Sequence, residues 1–137
     1  MTNYTLDACA LLALFNEEFG KGYEIVRDLL ARAATGEIAL CMNRINLVEV
    51  FYHFIQLKGV DTANAVMEPV KSLPIRFISD ITDDIYFETA RFKAHYAISL
   101  ADAFLCATAK SFSATVVTKD KEIKLVEETE SLPILWI

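Results

Sequence analysis

Four acidic residues occupy positions from which a carboxylate can take part in chemistry. The clearest is Asp102, which stands in the stretch 99–108 among small and apolar residues that predict a helix covered on most of its surface. A carboxylate there is costly unless a basic group, a proton or a metal ion compensates it. No Lys or Arg lies at helical contact spacing from Asp102 on its own helix. A divalent cation is therefore the economical partner.

The other three acids are predicted to reach the same place. Asp7 and Asp120 fall just past the carboxyl ends of predicted strands, and Glu49 lies early in a predicted helix. In open α/β sheets ligands bind at that edge. Four carboxylates packed there could not all stay ionised without countercharge, and all-oxygen ligation suits Mg²⁺, or Mn²⁺, better than zinc. Such ions polarise phosphoryl groups and lower the pKa of bound water, which is the chemistry of phosphodiester hydrolysis.

Each acid also has an ordinary structural explanation. Asp7 could only cap the helix after it, and Asp102 could only be a first-turn charge that the helix dipole favours. Glu49 could be a solvated helix residue and Asp120 a turn residue. Their joint placement at one sheet edge favours the functional interpretation.

The elements that must position these acids alternate between strand and helix along the whole chain. Apolar runs predict strands at residues 3–6, 38–42, 75–78, 114–118 and 133–137. Helical periodicity, caps and charge predict helices at residues 8–15 and 23–34, a third that begins after Asn43 or Asn46 and ends at Gly59, and further helices at residues 62–73, 83–96, 100–112 and 122–128. Asn43 or Asn46 is expected to cap the third helix and Asp61 the fourth, which Pro69 should kink or end. The fold class is α/β, with helices on both faces of a central parallel sheet.

Length and composition limit the possibilities further. The chain of 137 residues predicts one domain, residues 1–137, and no run has the length of a membrane span or the form of a signal peptide. Three cysteines without CxxC spacing predict reduced thiols and a cytoplasmic location. The net charge of −6 argues against a nucleic-acid partner at first sight, but only −2 remains if the four acids bind cations.

Four short motifs, in this order and spacing, resemble the signatures of the PIN domain family, most closely those of VapC-type toxins. The motifs are Thr5-Leu6-Asp7, Asn46-Leu47-Val48-Glu49-Val50, Ser99-Leu100-Ala101-Asp102-Ala103 and Val117-Thr118-Lys119-Asp120. The resemblance spans nearly the whole chain and implies a three-layer α/β/α domain with about five parallel strands. It also implies a Mg²⁺- or Mn²⁺-dependent ribonuclease that is often homodimeric and is held inactive by a small antitoxin protein.

Carried over by position, the resemblance makes Asp7, Glu49, Asp102 and Asp120 the catalytic and metal-binding acids, with Thr118 ordering the last of them. Basic residues predicted near the same edge could hold RNA phosphates or serve only for solubility: Arg44, Lys110, Lys119, Lys121 and Lys124. Phe51, Tyr52 and Phe54 span more than one helix face, so we expect an apolar groove there for an antitoxin helix or a second subunit.

Two residues depart from the family pattern. Cys9 stands where Ser, Thr or Asn is usual and removes a hydroxyl or amide that could bond the first carboxylate, and Ile123 replaces a common aromatic residue. Two other functions stay open from the sequence. One is a non-catalytic PIN-type module that binds RNA or protein. The other is a phosphoacceptor domain like a response regulator, although such domains carry paired acids on the first strand and no counterpart of Glu49.

Overall fold

The computed structural model describes all residues, 1–137, and shows a sheet of five parallel strands. The strands are β1 (Thr2–Leu6), β2 (Ile38–Asn43), β3 (Arg76–Ile78), β4 (Thr115–Thr118) and β5 (Ile134–Trp136). Their order across the sheet is β3-β2-β1-β4-β5. The predicted α/β class with a central parallel sheet is confirmed.

Seven α-helices connect the strands: α1 (Ala8–Phe15), α2 (Lys21–Ala34), α3 (Arg44–Lys58), α4 (Val60–Lys71), α5 (Asp83–His95), α6 (Leu100–Ser111) and α7 (Lys124–Glu130). A turn of 3₁₀ helix, Lys121–Ile123, precedes α7. Every helix falls short of the length and apolar character that crossing a membrane requires.

Alternate residues of each central strand pack on opposite faces of the sheet. In β4, Val117 joins the core formed with α1 to α4, whereas Val116 joins the core formed with α5 to α7. In β2, Met42 and Cys41 divide in the same way. Since both faces are covered, the strands read as continuous apolar runs in the sequence.

The predicted cap of α4 is wrong, and the helix does not end early at its proline. Gly59, at a φ of 84°, is the residue before the helix, and Asp61 lies in the first turn rather than at the cap. Pro69 lies inside the helix, two residues before its end, without stopping it. Near the C-terminus of a helix a proline removes only one intrahelical hydrogen bond, so the last turn can still form.

The strand order reverses direction between β1 and β4. The chain adds β2 and then β3 on one side of β1, and then returns to place β4 against the other side. In sheets of this type a crevice opens at the carboxyl ends of the two strands where the order reverses. Asp7 immediately follows β1, and Asp120 lies two residues after the end of β4, so both acids lie beside this crevice.

A network of ion pairs joins α5, α6 and α7 away from that crevice. Arg91 bonds Glu88 at 2.7 Å and Glu130 at 2.9 Å, while Lys110 bonds Glu88 at 3.0 Å and the Tyr96 hydroxyl donates to Glu130. The hydrogen bonds from Arg91 and Tyr96 lower the pKa of Glu130 to about 2. The side chains of Arg91, Glu88 and Glu130 are only partly exposed, so the network stabilises the packing of α7.

Glu130→Gln should therefore lower the free energy of unfolding at pH 7 by about 1 kcal/mol, the size of a partly exposed charged hydrogen bond. The stabilisation is fully present above the pKa of an unfolded Glu, about 4.3, and is lost as the pH falls towards 2. Urea unfolding at several pH values should show the variant and the wild type converging below about pH 4. Glu128→Gln, an exposed position on the same helix, is the control. An equal effect of both substitutions at pH 7 would contradict the assignment.

Candidate metal centre

Asp7 is fixed by the helix that it begins. It is the N-cap of α1 and its side chain is 5 % exposed. Its Oδ1 accepts a hydrogen bond from the Ala8 N–H at 2.7 Å, and its Oδ2 accepts one from the Thr118 hydroxyl at 2.7 Å. Capping alone would need only one oxygen, so the second contact ties the first strand's acid to β4.

Thr118 holds two acids at once. Its hydroxyl donates to Asp7 and accepts a hydrogen bond from the Asp120 N–H at 3.0 Å. Asp120 is held in turn by the Glu122 N–H, which donates to its Oδ1 at 3.0 Å. The threonine is fully buried at the end of β4 and joins the two strand ends on either side of the crevice.

Asp102 reaches the same crevice from α6. The Ser99 hydroxyl caps this helix by accepting a hydrogen bond from the Asp102 N–H at 3.0 Å, and the Asp102 side chain is 5 % exposed. One carboxylate oxygen each from Asp7, Asp102 and Asp120 lies within 4.8 Å of the other two. Neither lysine nor arginine forms an ion pair with any of the three.

Burial and mutual repulsion change the acidity of this group. Burial, followed by the charges of Asp7 and Asp120, raises the pKa of Asp102 to about 7. Burial also raises the pKa of Asp7, and the hydrogen bonds from Thr118 and Ala8 offset this only in part. At neutral pH the three carboxylates therefore have no neighbouring positive charge that compensates their own negative charge.

Glu49 lies beside this group on α3, but outside the set of three. It is half-buried, and burial together with the charges of Asp7 and Asp120 raises its pKa. Its Oε1 is buried and has no hydrogen-bond partner. The structure thus brings carboxylate oxygens of three of the four predicted acids within 4.8 Å of one another, and it places the fourth acid close enough for the charges of Asp7 and Asp120 to raise its pKa.

The donor set fits a hard divalent cation. Three carboxylate oxygens converge, a fourth carboxylate carries an unpartnered buried oxygen, and the set includes neither histidine nor thiolate. Carboxylate oxygens are the usual ligands of Mg²⁺ and Mn²⁺, whereas zinc prefers nitrogen and sulfur.

Cys9 does contact the first acid, contrary to the expectation that a hydrogen-bonding group is lost there. Its thiol donates to Asp7 Oδ2 at 3.7 Å and lies 3.8 Å from the Thr118 hydroxyl. Burial, followed by the charge of Asp7, raises the pKa of Cys9 to about 12, so the group is a neutral thiol. A thiol is a weak donor, and Cys9 therefore supports Asp7 less than a hydroxyl would. Ile123 is fully buried in the core around α6.

Three of the predicted basic residues are exposed around the crevice. Arg44 begins α3, while Lys119 and Lys121 flank Asp120, and Lys119 pairs with Glu18 at 3.3 Å. Lys110 is not near the acids, because it lies in the last turn of α6, whereas Asp102 lies in the first. Eight residues of helix separate them by about 12 Å along the axis.

The predicted apolar groove is present between α3 and α4. Phe54 is buried, Phe51 is half-buried and Tyr52 is exposed. The groove has a volume of about 320 Å³ and is lined by Arg44, Ile45, Leu47, Val48, Phe51, Asn64, Met67 and Lys71. Its lining combines an apolar floor with two cations and includes no acid.

Sequence patterns did not predict the position of one polar residue of this region, Asn46. Asn43, not Asn46, caps α3, because its Oδ1 accepts the Ile45 N–H at 2.9 Å. Asn46 is fully buried, and its Nδ2 donates to the carbonyl oxygen of Ala101 at 3.1 Å. The available signal was an amide on the covered face of the helix, one turn before Glu49.

A five-stranded parallel sheet, helices on both faces and a crevice at the switch point define an α/β protein with a cluster of carboxylates at the ligand-binding edge of its sheet. The PIN domain family model matches residues 4–128, and the chain belongs to this family.

Solved structures with the same fold include toxin–antitoxin complexes. VapBC2 from Rickettsia felis, bound to a DNA fragment from its promoter, has a TM-score of 0.76 at 18 % identity, over 99 % of each chain. DNA-bound VapBC from Salmonella typhimurium has a TM-score of 0.75 at 18 % identity, over 98 % of each chain. VapBC-5 from Mycobacterium tuberculosis has a TM-score of 0.62 at 17 % identity, over 100 % of each chain. No curated sequence is significantly similar to the chain.

Removing one acid should relieve the repulsion within the crevice. We expect Asp102→Asn to raise the free energy of unfolding in the presence of a chelator by about 1 kcal/mol, since a neutral amide replaces a buried carboxylate among like charges. The same variant should lose most of the rise in Tm that Mn²⁺ gives the wild type. Both quantities come from thermal scans with and without Mn²⁺.

The control for this measurement is Asp84→Asn, an exposed first-turn acid of α5 without an ion-pair partner. It should gain no stability and should keep the full response to Mn²⁺. If Asp102→Asn were destabilised in the chelator, Asp102 would have a compensating partner and the acids would not need a cation.

Proposed function

We propose that this chain is a metal-dependent ribonuclease and the toxin of a VapBC-type toxin–antitoxin pair, with its activity in a single domain of residues 1–137. The observation that carries the proposal is the convergence of Asp7, Asp102 and Asp120 without a basic partner in a PIN domain. A buried group of like charges costs stability, and its arrangement at the sheet's ligand-binding edge supports a catalytic use.

Asp7, Asp102 and Asp120 would hold the ion, and Glu49 would lie beside these three ligands. A bound Mg²⁺ or Mn²⁺ supplies positive charge that stabilises the phosphodiester oxygens in the transition state and makes water more acidic. The chain itself keeps the ligands in place: the Thr118 hydroxyl orients Asp7 and Asp120, and the capped first turn of α6 orients Asp102.

Glu49 has a distinct role in this proposal. Its Oε1 is a buried acceptor without a hydrogen-bond partner, so the fold leaves this carboxylate oxygen unsatisfied and able to accept a proton. Its raised pKa moves it towards neutrality, which suits a group that takes up a proton during the reaction.

RNA is the proposed substrate although the chain carries a net charge of −6. Arg44, Lys119 and Lys121 are exposed around the acids and can hold the phosphates on either side of the cleaved bond. The ion pair between Lys119 and Glu18 is solvent-exposed and therefore weak enough to exchange for a phosphate contact.

The direct test is RNA cleavage by the purified protein. We expect cleavage of structured RNAs only when Mg²⁺ or Mn²⁺ is present, with a loss of about 100-fold or more in Asp102→Asn, the scale for removal of an electrostatic catalytic group. Asp84→Asn should cleave as the wild type does. Equal cleavage by the wild type and Asp102→Asn would refute the assigned site.

The other two functions would give different results. Binding of Mn²⁺ and RNA without cleavage would favour a non-catalytic PIN-type module. Labelling by a small phosphodonor would favour a phosphoacceptor domain, but the strand order 3-2-1-4-5 differs from the 2-1-3-4-5 order of the response-regulator fold.

The proposed protein partner is an antitoxin whose amphipathic helix lies in the groove between α3 and α4. The apolar residues Val48 and Phe51 can receive its apolar face, and Arg44 and Lys71 can pair with its acidic residues. Val48 lines the groove and is 57 % exposed, so its side chain is accessible to a partner. VapBC complexes among the structural neighbours support the choice of partner.

Val48→Glu should weaken this complex by about tenfold or more, since it puts an acid in the apolar contact opposite an acidic helix. The measurement is the dissociation constant for the small protein encoded beside this chain, after co-expression. Leu125→Glu is a matched control, because Leu125 is 58 % exposed but lies on α7. Equal binding by both variants would place the partner elsewhere.

We also propose that the active protein is a cytoplasmic homodimer. The family resemblance supports the dimer, and the three free cysteines support a reducing compartment. Measurement of the molar mass in solution tests the first point directly.

A further inference from the structure

Asn46 occupies an unusual position for an amide. It is fully buried on α3, and its Nδ2 donates to the Ala101 carbonyl oxygen of α6 at 3.1 Å. Its Oδ1 is also buried and has no hydrogen-bond partner. A buried acceptor without a donor lowers stability, so an apolar side chain of the same size would serve the packing of two helices better.

The contacts of Asn46 lie between two acids of the crevice. Ala101 immediately precedes Asp102, so the hydrogen bond fixes α6 at the level of that carboxylate. Glu49 follows Asn46 by three residues, which places the two side chains on the same face of α3. Asn46 thus joins, by a hydrogen bond, the helix that bears Glu49 to the helix that bears Asp102.

We infer that Asn46 is a positioning residue that sets the distance between Glu49 and Asp102 and thereby the affinity of the site for a divalent cation. This inference rests on the proposed function and adds a residue that acts through the acids without being one of them. Groups that orient ligands in this way commonly change metal affinity by about 10- to 100-fold.

A second asparagine also connects α3 to α6, so a purely structural connection between these helices does not depend on Asn46 alone. Asn43 caps α3, and its Nδ2 donates to the Thr108 hydroxyl of α6 at 3.0 Å. This second bond, between the N-cap of α3 and α6, lies six residues beyond Asp102 along α6. If Asn46 only held α3 against α6, the two asparagines would be equivalent for the metal site.

The experiment is a Mn²⁺ titration of the purified full chain by calorimetry, with urea unfolding of each variant alongside. Asn46→Ala and Asn46→Leu should bind Mn²⁺ about tenfold more weakly than the wild type, and Asn43→Ala should bind within about twofold. Leucine nearly matches the shape of asparagine, so Asn46→Leu keeps the packing even if Asn46→Ala fails to fold.

A double-mutant cycle gives a readout that a purely structural role would not change. In a Glu49→Gln background the effect of Asn46→Leu on Mn²⁺ affinity should shrink to about threefold or less, because the two residues act together. Full additivity of the two substitutions would overturn the inference, as would wild-type affinity in Asn46→Leu or an equal loss in Asn43→Ala. A wild-type chain that fails to bind Mn²⁺ would refute the proposed function itself and this inference with it, whereas Mn²⁺ binding unaffected by Asn46 would refute the inference alone.

Discussion

The main constraint on this structure is that the fold must overcome the repulsion between carboxylates that it holds together in the crevice, away from water. Asp7, Asp102 and Asp120 come within 4.8 Å of one another. The carboxylates of Asp7 and Asp120 accept hydrogen bonds from Thr118 or from backbone N–H groups, and the capped first turn of α6 places Asp102 beside them. No lysine or arginine forms an ion pair with them, so the fold rather than ion pairing keeps them there, and burial raises the pKa of both Asp7 and Asp102. Such an arrangement persists only if the rest of the chain supplies the stability that it costs.

That stability comes from elements around the crevice. The two apolar cores on the faces of the sheet fix the strand ends, and the network around Arg91 ties α5 to α7. Glu130 and Asp102 illustrate the contrast. Both are acids near other charges, but a guanidinium and a phenol lower the pKa of Glu130, whereas burial and neighbouring acids raise that of Asp102. The environment of a carboxylate therefore separates the acid that is paired within the fold from the acid that lies unpaired in the crevice.

The topology explains why residues so distant in sequence meet. β1 is the central strand. After α5 and α6 the chain places β4 against the side of β1 that does not pair with β2. The strand-end acids at positions 7 and 120 are thereby brought to adjacent strands, while the N-terminus of α6 points Asp102 into the gap between them. The overall charge of −6 says little about the partner, because part of it is concentrated in this one crevice.

The sequence alone determined the order of the elements, their approximate bounds and the acids at their ends. Apolar runs and helical periodicity identify which residues are covered, and strand ends identify where Asp7 and Asp120 must lie. The contact of Cys9 with Asp7, the remote position of Lys110 and the choice of Asn43 over Asn46 as the cap of α3 required the tertiary structure. So did the separation of Glu49 from the other three acids. Periodicity specifies the face on which a side chain lies, but distances between faces depend on how far each helix packs along the sheet, and only the complete packing of both cores fixes them.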